Sequence, residues 1–434
     1  MRILFVTSHY EPSPYGGGYA QLCEEVADGL HARGHQVAVL TSTYGQGASN
    51  PYPYPVARRL PIDPDWHDRR SAAWQFFVQR RRRERQALDA LCEMVDAFAP
   101  DVIYVWHAIG LPRAMLHEAE ERSGAPIAYY LANYLPEIAD EYLDYWLAAP
   151  QTAAARLLKR PLAGVAQATL RREGKPVPLR FDETACVSDY VRQRLLAQGL
   201  IGPRSVVIHN GVDLTVFCRS DGDQRPAFAP PLRCLVAGRV DPEKGVHTVV
   251  EAFGLLAERS PSPPATLTVL GDGPPPYLSS LRDATRALGL QGMVQFRAGI
   301  PRTAMPGLLA EFDVLILASE YAEPLARAAQ EAMAMGLLVV GTITGGSGEL
   351  LVHEETGLAF VAGDAASLAQ QLERIAADPA LARRLARAGQ DVVRERFDIR
   401  RTVLETERYL QALMIGDRSD RGADGRGDSV GDIR

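Results

Sequence analysis

Short apolar runs that alternate with amphipathic stretches constrain the fold of this chain more than any other feature. The first run, Ile3–Val6, precedes three consecutive glycines, and Leu22, Val26 and Leu30 then recur at helical spacing. A second apolar run follows at 37–40. A buried strand, a glycine-containing turn and a helix, repeated in this order, are typical of a parallel sheet with crossover helices.

The alternation occurs twice, as expected for 434 residues, which are too many for one compact core. It fails where Asp, Gly and Pro accumulate, which predicts a linker. We therefore predict an α/β protein with two facing, doubly wound, Rossmann-like domains, whose active site lies in the interdomain cleft at the carboxyl ends of the strands. The expected segments are a first domain at 1–212, the linker at 213–231, a second domain at 232–398, a helix at 399–415 that returns to the first domain, and a disordered tail at 416–434.

Composition excludes several classes of protein. The formal net charge of −6 opposes attraction of the whole chain to nucleic acid. The five cysteines form no CxxC pair, which indicates a reduced, intracellular protein without a structural zinc site. The apolar start is too short for a signal peptide, and no apolar run approaches the roughly 20 residues of a membrane span. We expect a cytoplasmic protein.

A candidate anion site lies in the second half, at Gly238–Gly245. This segment follows a predicted strand and ends where a helix begins, so backbone N–H groups and the helix dipole favour an anion there. Arg239 and Lys244 add two cations, which suits a diphosphate. A turn with surface salt bridges is the alternative.

Two carboxylates and several glycines accompany this segment. Glu323 and Glu331 are separated by seven residues across a loop and the start of a helix, and a carboxylate can accept hydrogen bonds from paired sugar hydroxyls. Alone, each is better explained as a solvated charge at a helix end. Glycines at strand ends, which let backbone approach a ligand closely, are Gly271, Gly345 and Gly346.

Taken together, these motifs resemble the retaining glycosyltransferases of family 4, also called group 1, which have the GT-B fold. The resemblance rests on three strings, GRVDPEKGVH, HNGVD and VVGTITGGSGE, and on two paired motifs. In the first pair, Glu323-Pro324 is followed by EAMAMG, which begins eight residues after Glu323; in the second, GGGY is followed by LHARGHQV near the start. It extends from Met1 to about Arg400, so only the tail lies outside it.

The resemblance implies a role for each matching residue of the second half. Arg239 and Lys244 match the pair that holds the donor diphosphate. Glu331 matches the carboxylate that binds the donor ribose, and Glu323 the one beside the transferred sugar. The donor is then a nucleotide diphosphate sugar of the UDP, GDP or ADP type.

In the first half, the resemblance concerns a glycine loop and a histidine. Gly17 and Gly18 match the loop that approaches the diphosphate from the first domain. His107 matches the histidine that often reaches the sugar, although a hydrogen-bonded core imidazole is the better interpretation without the family. Arg239, Lys244, Glu323 and His107 are thus the expected catalytic residues.

Four positions depart from the family pattern. Leu325 and Ala326 replace the usual Phe-Gly, and a methyl group at Ala326 would narrow the donor pocket. Arg327 and Gln330 replace positions that are commonly apolar, which favours an unusual sugar specificity.

The mechanism that the family implies needs neither a carboxylate nucleophile nor a metal. It is a front-face transfer with retention, in which the departing diphosphate accepts the proton of the acceptor hydroxyl. Two Asp-x-Asp tripeptides, at 63–65 and 221–223, could suggest a metal site, but both lie in Pro- or Gly-rich loops and such tripeptides are common by chance. We expect no cofactor and activity that survives EDTA.

The acceptor side is less defined. Residues 66–86 combine Trp74, Phe77 and Val78 on one helical face with seven arginines. Such a segment can dock on anionic lipid at the inner face of a membrane, consistent with a lipid-linked acceptor, or can be an ordinary helix packed by its aromatic face. The aromatic segment 129–150 suits either sugar binding or a helical cap.

The expected function is transfer of a hexose-like sugar to an acceptor hydroxyl in glycan, glycolipid or glycosylated-metabolite biosynthesis. Two alternatives share the fold. A nucleotide-sugar epimerase needs no acceptor, and a non-catalytic nucleotide-sugar-binding protein releases no nucleotide. The paired Arg239 and Lys244, with the two carboxylates, favour the transferase.

Overall fold

The computed structural model describes residues 1–13, 15–45, 51–65, 72–122, 124–148, 153–219, 228–260 and 262–424. The chain divides into two compact units. The first unit comprises Met1–Val187, Val191–Ile208 and the C-terminal residues from Val403, and the second comprises Ser188–Tyr190 and His209–Thr402.

The first unit contains a seven-stranded parallel sheet in the order β3-β2-β1-β4-β5-β6-β7. Its strands are β1 (Arg2–Thr7), β2 (Gln36–Ser42), β3 (Val56–Leu60), β4 (Val102–Val105), β5 (Ile127–Leu131), β6 (Thr184–Cys186) and β7 (Val206–Val207). β1 lies at the centre, with Leu4 aligned to Ala38 on one side and to Ile103 on the other. Its residues from Ile3 to Val6 are fully buried, as an apolar run covered on both faces requires.

Helices connect these strands. They are α1 (Gly17–Ala32), α2 (Ala72–Trp74), α3 (Arg80–Phe98), α4 (Arg113–Arg122), α5 (Glu141–Leu147), α6 (Ala153–Arg172) and α7 (Asp189–Ala197). A π-helical turn, Gln75–Gln79, joins α2 to α3, and a 3₁₀ turn, Leu135–Glu137, precedes α5. α1 buries Leu22, Val26 and Leu30, the residues that recur at helical spacing.

The second unit contains a six-stranded parallel sheet in the order β10-β9-β8-β11-β12-β13. Its strands are β8 (Leu232–Ala237), β9 (Ala265–Leu270), β10 (Val294–Arg297), β11 (Val314–Leu317), β12 (Leu338–Gly341) and β13 (Leu358–Ala359). Its helices are α8 (Val246–Arg259), α9 (Pro275–Ala287), α10 (Met305–Leu309), α11 (Arg327–Ala334), α12 (Ala365–Ala377), α13 (Pro379–Arg396) and the first residues of α14 (Ile399–Asp424).

Each half therefore has the doubly wound α/β architecture that its sequence pattern predicts. The core of the second unit is formed by strand residues such as Leu267 and Val340 packed against helix residues such as Phe253 and Leu372. The first strand of each sheet, β1 in one and β8 in the other, lies inside the sheet. From it the chain adds strands towards one edge and then returns to add strands towards the other edge. The carboxyl ends of neighbouring strands thus form the edge at which doubly wound folds bind ligands.

The stretch between β7 and β8 holds no helix or strand among its described residues. Phe217 and Phe228 are nevertheless buried, and Phe228 belongs to the core of the second unit. Both ends of the predicted linker 213–231 are thus anchored by aromatic side chains. The tripeptide at 221–223 lies outside the described residues.

The C-terminal segment differs from the expectation of a disordered tail at 416–434. α14 continues to Asp424, so the first nine residues of that segment are helical. Extending an existing helix costs far less than starting one, since each added residue closes a backbone hydrogen bond. From Val403 this helix belongs to the first unit, and residues 425–434 lie outside the described part.

The aromatic segment 129–150 contributes largely to the interior of the first unit. Tyr129 and Tyr130 are buried in β5, and Tyr142 and Trp146 are buried in α5. These rings are therefore core residues and not a sugar-facing surface. Among the helices described here, none combines the length and the apolarity that crossing a bilayer requires.

Candidate functional site

The glycine-rich segment after β8 forms a tight connection at the carboxyl edge of the second sheet. Gly238 has φ 131°, a 3₁₀ turn spans Pro242–Lys244, and Gly245 caps α8 with φ 62°. A Cβ atom on Gly245 would lie 2.0 Å from the carbonyl oxygen of Ala318, just after β11. Glycine at this position thus lets the loop after β8 pack directly on the loop after β11.

Lys244 and Glu323 meet at this edge, because β8 and β11 are neighbours in the sheet. The Nζ atom of Lys244 lies 2.7 Å from Oε2 and 3.1 Å from Oε1 of Glu323. The hydroxyl of Ser319 donates to Oε2 of the same carboxylate at 2.8 Å. The side chain of Glu323 is only 9% exposed, so this carboxylate is held in place by a cation and a hydroxyl.

Tyr321 completes this group. Its hydroxyl lies 3.1 Å from Nζ of Lys244, whose ammonium also lies 4.8 Å from the centre of the ring. Burial, reinforced by the charge of Glu323, raises the pKa of the Tyr321 phenol far above its ordinary value. Tyr321 is therefore a neutral hydrogen-bonding group at physiological pH. Sequence reasoning missed it, although its place two residues before Glu323 was a usable signal.

Arg239 lies in the same loop but does not join the Lys244–Glu323 pair. Its guanidinium pairs with Asp241, two residues away, and its side chain is 73% exposed. The structure thus brings Lys244 to Glu323 and leaves Arg239 at the surface of the same loop. The alternative interpretation, a turn with surface salt bridges, is thus correct for Arg239 but not for Lys244.

Glu331 lies on α11 and is also paired. Its Oε1 atom lies 2.6 Å from Nη1 of Arg302 and 3.9 Å from Nε of Arg327. The carboxylate is 9% exposed, so it is not a solvated charge at a helix end. Arg302, which follows β10, was not identified from the sequence.

The three predicted glycines serve close packing between loops. A Cβ atom on Gly271, which has φ 138°, would lie 1.8 Å from the carbonyl oxygen of Gly238. Gly345 has φ 63°, and its Cβ would lie 2.4 Å from the carbonyl oxygen of Glu323. Gly346 donates its N–H to that same oxygen at 2.7 Å, and its Cβ would lie 2.0 Å from the carbonyl oxygen of Pro324. Gly345 and Gly346 therefore fix the backbone that carries Glu323.

Three of the four positions that depart from the family pattern are buried, and the fourth, Arg327, is partly buried. Gln330 donates through Nε2 to the backbone oxygen of Asn210 at 3.1 Å and to its Oδ1 at 2.9 Å. Gln330 thus holds the HNGVD segment to α11, which explains a polar residue at this place. Leu325 and Ala326 lie directly before α11 and are buried as well.

In the first unit, the carboxyl ends of β1 and β4 bring His107 to Ser8. The N–H of Ser8 donates to the carbonyl oxygen of His107 at 2.6 Å, and the Ser8 hydroxyl contacts Nδ1 of His107. The ring of Tyr19 packs edge-on at 5.0 Å from the imidazole. His107 is only partly buried, unlike the core imidazole of the alternative interpretation.

A second histidine, His9, lies beside His107 with the ring centres 5.7 Å apart. The rings of Tyr15 and Tyr44 lie 5.9 Å and 5.7 Å from that of His9. Sequence reasoning did not select these three residues, although His9 comes two positions after the end of β1. The edge of this sheet thus carries aromatic rings and two imidazoles.

The glycine loop comprises Gly16, Gly17 and Gly18 at the start of α1. Gly17 and Gly18 form the first turn of α1 and are exposed. Gly16 has φ 101°, and its Cβ would lie 2.7 Å from the Cβ atoms of His9 and Ala20. Gly17 has φ 49°, which also favours glycine, although a Cβ there would meet no atom within 4 Å. Gly16 thus sets the start of α1, and Gly17 and Gly18 form its exposed first turn.

Asp63, from the first Asp-x-Asp tripeptide, is a buried residue. Its N–H donates to the carbonyl oxygen of Gly110 at 2.7 Å, its carboxyl accepts from Tyr142, and Arg83 lies 3.5 Å away. Burial raises the pKa of this carboxyl to about 6, against the opposing effect of Tyr142 and Arg83. In the described ranges there is no cluster of three or more His, Cys, Asp or Glu side chains that could hold a metal ion.

Comparison with known proteins identifies two families along the chain. Residues 16–216 match Glycosyltransferase Family 4, and residues 223–392 match Glycosyl transferases group 1. A glycogen synthase from Mycobacterium tuberculosis is 32% identical over 222 residues, which are 50% of this chain and 52% of that protein. The chain thus spans about half the length of this curated relative.

A second relative is matched over more of its length. The GDP-mannose-dependent alpha-(1-6)-phosphatidylinositol monomannoside mannosyltransferase of Mycolicibacterium smegmatis is 28% identical over 306 residues, covering 67% of this chain and 71% of that protein.

Solved structures share the fold over nearly the whole chain. Sucrose-phosphate synthase from Thermosynechococcus elongatus has a TM-score of 0.72 at 20% identity and covers 96% of this chain and 99% of its own. Anabaena Alr3699/HepE in complex with UDP and glucose has a TM-score of 0.67 at 20% identity and covers 95% of this chain and all of its own. Both show that the two Rossmann-like units form the GT-B fold. With both halves of the chain matched, the protein belongs to the group 1 glycosyltransferases of family 4.

Proposed function

We propose that this protein transfers a hexose-like sugar from a nucleotide diphosphate sugar to an acceptor hydroxyl, with retention at the anomeric carbon and without a metal. The observation that carries the proposal is the Lys244–Glu323 pair at the carboxyl edge of the second sheet, beside a glycine-rich turn suited to phosphate. The glycogen synthase and mannosyltransferase relatives, and the UDP bound by Anabaena HepE, support a nucleotide-sugar donor.

The charges of the site fit the bond changes of a front-face transfer. The bond between the anomeric carbon and the diphosphate oxygen breaks, and the acceptor oxygen forms its new bond on the same face. The acceptor proton passes to the departing diphosphate. Lys244 stabilises the negative charge that grows on the leaving group. Arg239 joins it when its exposed side chain leaves Asp241 and binds the phosphate instead.

The two buried carboxylates then bind hydroxyl groups. Glu323, fixed by Ser319 and Lys244, accepts from the transferred sugar, and Glu331 accepts from the ribose. In the first unit, His107 is oriented by Ser8 and serves the sugar or acceptor side, and the loop of Gly17 and Gly18 at the start of α1 approaches the diphosphate. These assignments follow the family resemblance and the chemistry of each group.

Thermal unfolding with nucleotides tests the donor site directly. The protein is melted with UDP, GDP, ADP and dTDP at about a hundred times Kd, each with and without EDTA, where a ligand adds about 2.7 kcal/mol. We expect one nucleotide to raise the midpoint by about 3 °C if both units melt together, and by more if the second melts alone. No shift from any nucleotide, or a shift that requires Mg²⁺, would contradict the proposal.

Substitution of Lys244 tests the catalytic step. Lys244→Ala should lower turnover at least a hundredfold, since removing one group that stabilises a developing charge costs about 3 kcal/mol. Arg286→Ala, which removes an exposed cation of the same unit, is the control and should retain wild-type activity. Product analysis by NMR then reports the anomeric configuration, and donor converted without any acceptor would indicate an epimerase. A fully active Lys244→Ala protein would refute the assignment.

A further inference from the structure

Three helical segments of the first unit expose apolar side chains around a small core of their own. The core consists of Phe76, Tyr142, Trp146, Ala166 and Leu170, which come from the π-helical turn before α3, from α5 and from α6. The ring of Phe76 lies 4.9 Å from that of Tyr142 and 5.5 Å from that of Trp146. The segments are thus packed together, separately from the main sheet core.

The large apolar side chains that these segments leave in solvent form what we term the apolar surface: Trp74, Phe77, Val78, Leu147, Leu162 and Val165. Trp74 is 55% exposed, Val78 62% and Leu147 68%. Phe77 contacts Trp146 with ring centres 5.7 Å apart, so the surface is continuous with the small core. On the face formed by Trp74, Phe77 and Val78, Phe77 thus packs in part against Trp146, whereas Trp74 and Val78 are largely exposed, unlike the fully packed face of the ordinary-helix interpretation.

Exposed cations lie on α6, which carries part of this surface, and on α3, which follows Val78. α6 carries five Lys or Arg residues and no Asp or Glu. Arg160, Arg171 and Arg172 on this helix are exposed, as are Arg82 and Arg85 on α3. Asp144 on α5 is an exposed carboxylate nearby. A local excess of positive charge thus occurs in a chain whose net charge is −6.

Other arginines hold the segments rigidly. Arg80 is buried and pairs with Glu173, which also lies 2.7 Å from Arg81. Lys175 pairs with Glu84 at 2.7 Å. These ion pairs join the start of α3 to the end of α6. These ion pairs therefore hold together two of the segments that carry the apolar surface and its cations.

We propose that the apolar surface docks on a lipid bilayer that carries anionic headgroups. The six apolar side chains enter the boundary between headgroups and acyl chains, and the exposed arginines contact the headgroups. A second copy of this chain is the other occupant to consider. It would bring a second set of like charges against the first, which opposes self-association.

Flotation of the full-length protein with vesicles tests this inference. Vesicles of phosphatidylcholine with phosphatidylglycerol are compared with vesicles of phosphatidylcholine alone. We expect binding to the anionic vesicles that weakens with salt. Two double variants, Trp74→Ser/Val78→Ser and Arg160→Gln/Arg172→Gln, should each lower the bound fraction at least tenfold. The first removes apolar side chains that enter the bilayer, and the second removes cations that each multiply the affinity for an anionic membrane.

Matched controls use exposed residues of the second unit. Val361→Ser, at a residue 65% exposed, and Arg286→Gln should leave vesicle binding unchanged. Because all substituted side chains are exposed, wild-type melting temperatures are expected and show that each variant is folded. No preference for anionic vesicles, or equal binding by Trp74→Ser/Val78→Ser, would overturn the inference. So would a dimer in sedimentation without lipid that this double variant dissociates.

Nucleotide binding provides a readout that is independent of docking. The Trp74→Ser/Val78→Ser protein should keep the wild-type shift in melting temperature with its nucleotide. Loss of vesicle binding with retained nucleotide binding separates this inference from the proposed function.

Discussion

Gly346→Ala is the substitution whose consequence the structure defines most sharply. Its Cβ would lie 2.0 Å from the carbonyl oxygen of Pro324 and 2.6 Å from the hydroxyl of Ser188. The first contact is with backbone and cannot be relieved by a rotamer change. The loop 323–326 or the turn 345–349 has to move, and the hydrogen bond from Gly346 N–H to the Glu323 carbonyl oxygen, 2.7 Å long, is then strained or lost.

The cost follows from overpacking plus one weakened hydrogen bond. Forcing a methyl group into a packed site costs roughly 1–3 kcal/mol, and a hydrogen bond contributes about 1 kcal/mol. We therefore expect a loss of about 3 kcal/mol. For a unit of roughly 200 residues that melts independently, this corresponds to about 6–12 °C in midpoint.

Differential scanning calorimetry measures the midpoint. Titration with the nucleotide-sugar donor, at a temperature where the variant is folded, reports the displacement of Glu323, which contacts the transferred sugar in the proposed site. We expect both to change. Gly307→Ala is the matched control, because a Cβ at Gly307 meets no atom within 4 Å. A Gly346→Ala protein with the midpoint and the nucleotide-sugar affinity of wild type would refute the reasoning that this glycine fixes the loop of Glu323.

Two further predictions concern buried charges. Burial raises the pKa of Asp63 to about 6 in the folded state, above its ordinary value of 3.8, so the stability that this group contributes is greatest below pH 4 and is lost as the pH rises through 6. Asp63→Asn should remove this loss of about 3 kcal/mol, so the free energy of unfolding should decrease less from pH 4 to pH 7; an unchanged pH dependence would contradict the shift. Arg302→Met and Glu331→Gln should each lower the free energy of unfolding of the second unit in denaturant. Because the partners lie 2.6 Å apart, the double variant should lose about 1–2 kcal/mol less than the sum of the two single losses, and additive losses would show that the pair contributes nothing.

The central strands were predictable because burial on both faces leaves nearly continuous apolar runs. Two edge strands were not. β3 (Val56–Leu60) contains Arg58 and Arg59 and pairs on one side only, so its sequence lacks an apolar run. β13 consists of two residues, which is too short for any periodicity. Strand prediction thus failed at these two edge strands, where an apolar run is missing or too short to recognise.

The candidate site was predictable residue by residue but not in its pairing. The sequence shows that Lys244 and Glu323 each follow a strand, yet the order of strands in the sheet decides whether those strands are neighbours. β11 lies beside β8, although β9 and β10 separate them along the chain. The ion pair of Arg302 with Glu331 and the bond of Gln330 to Asn210 likewise depend on tertiary contacts.

The placement of α14 has a consequence for how the chain folds during synthesis. Glu407 lies 2.8 Å from Nε of Arg33 and 2.7 Å from Nε2 of His35, and Val403 fills the space beside Gly29. These contacts close a loop of more than 370 residues, within which the whole second unit is made. The part of the first unit up to Val187 is therefore synthesised before the second unit but completed only after it, because the side of α1 around Gly29 stays uncovered until α14 is made.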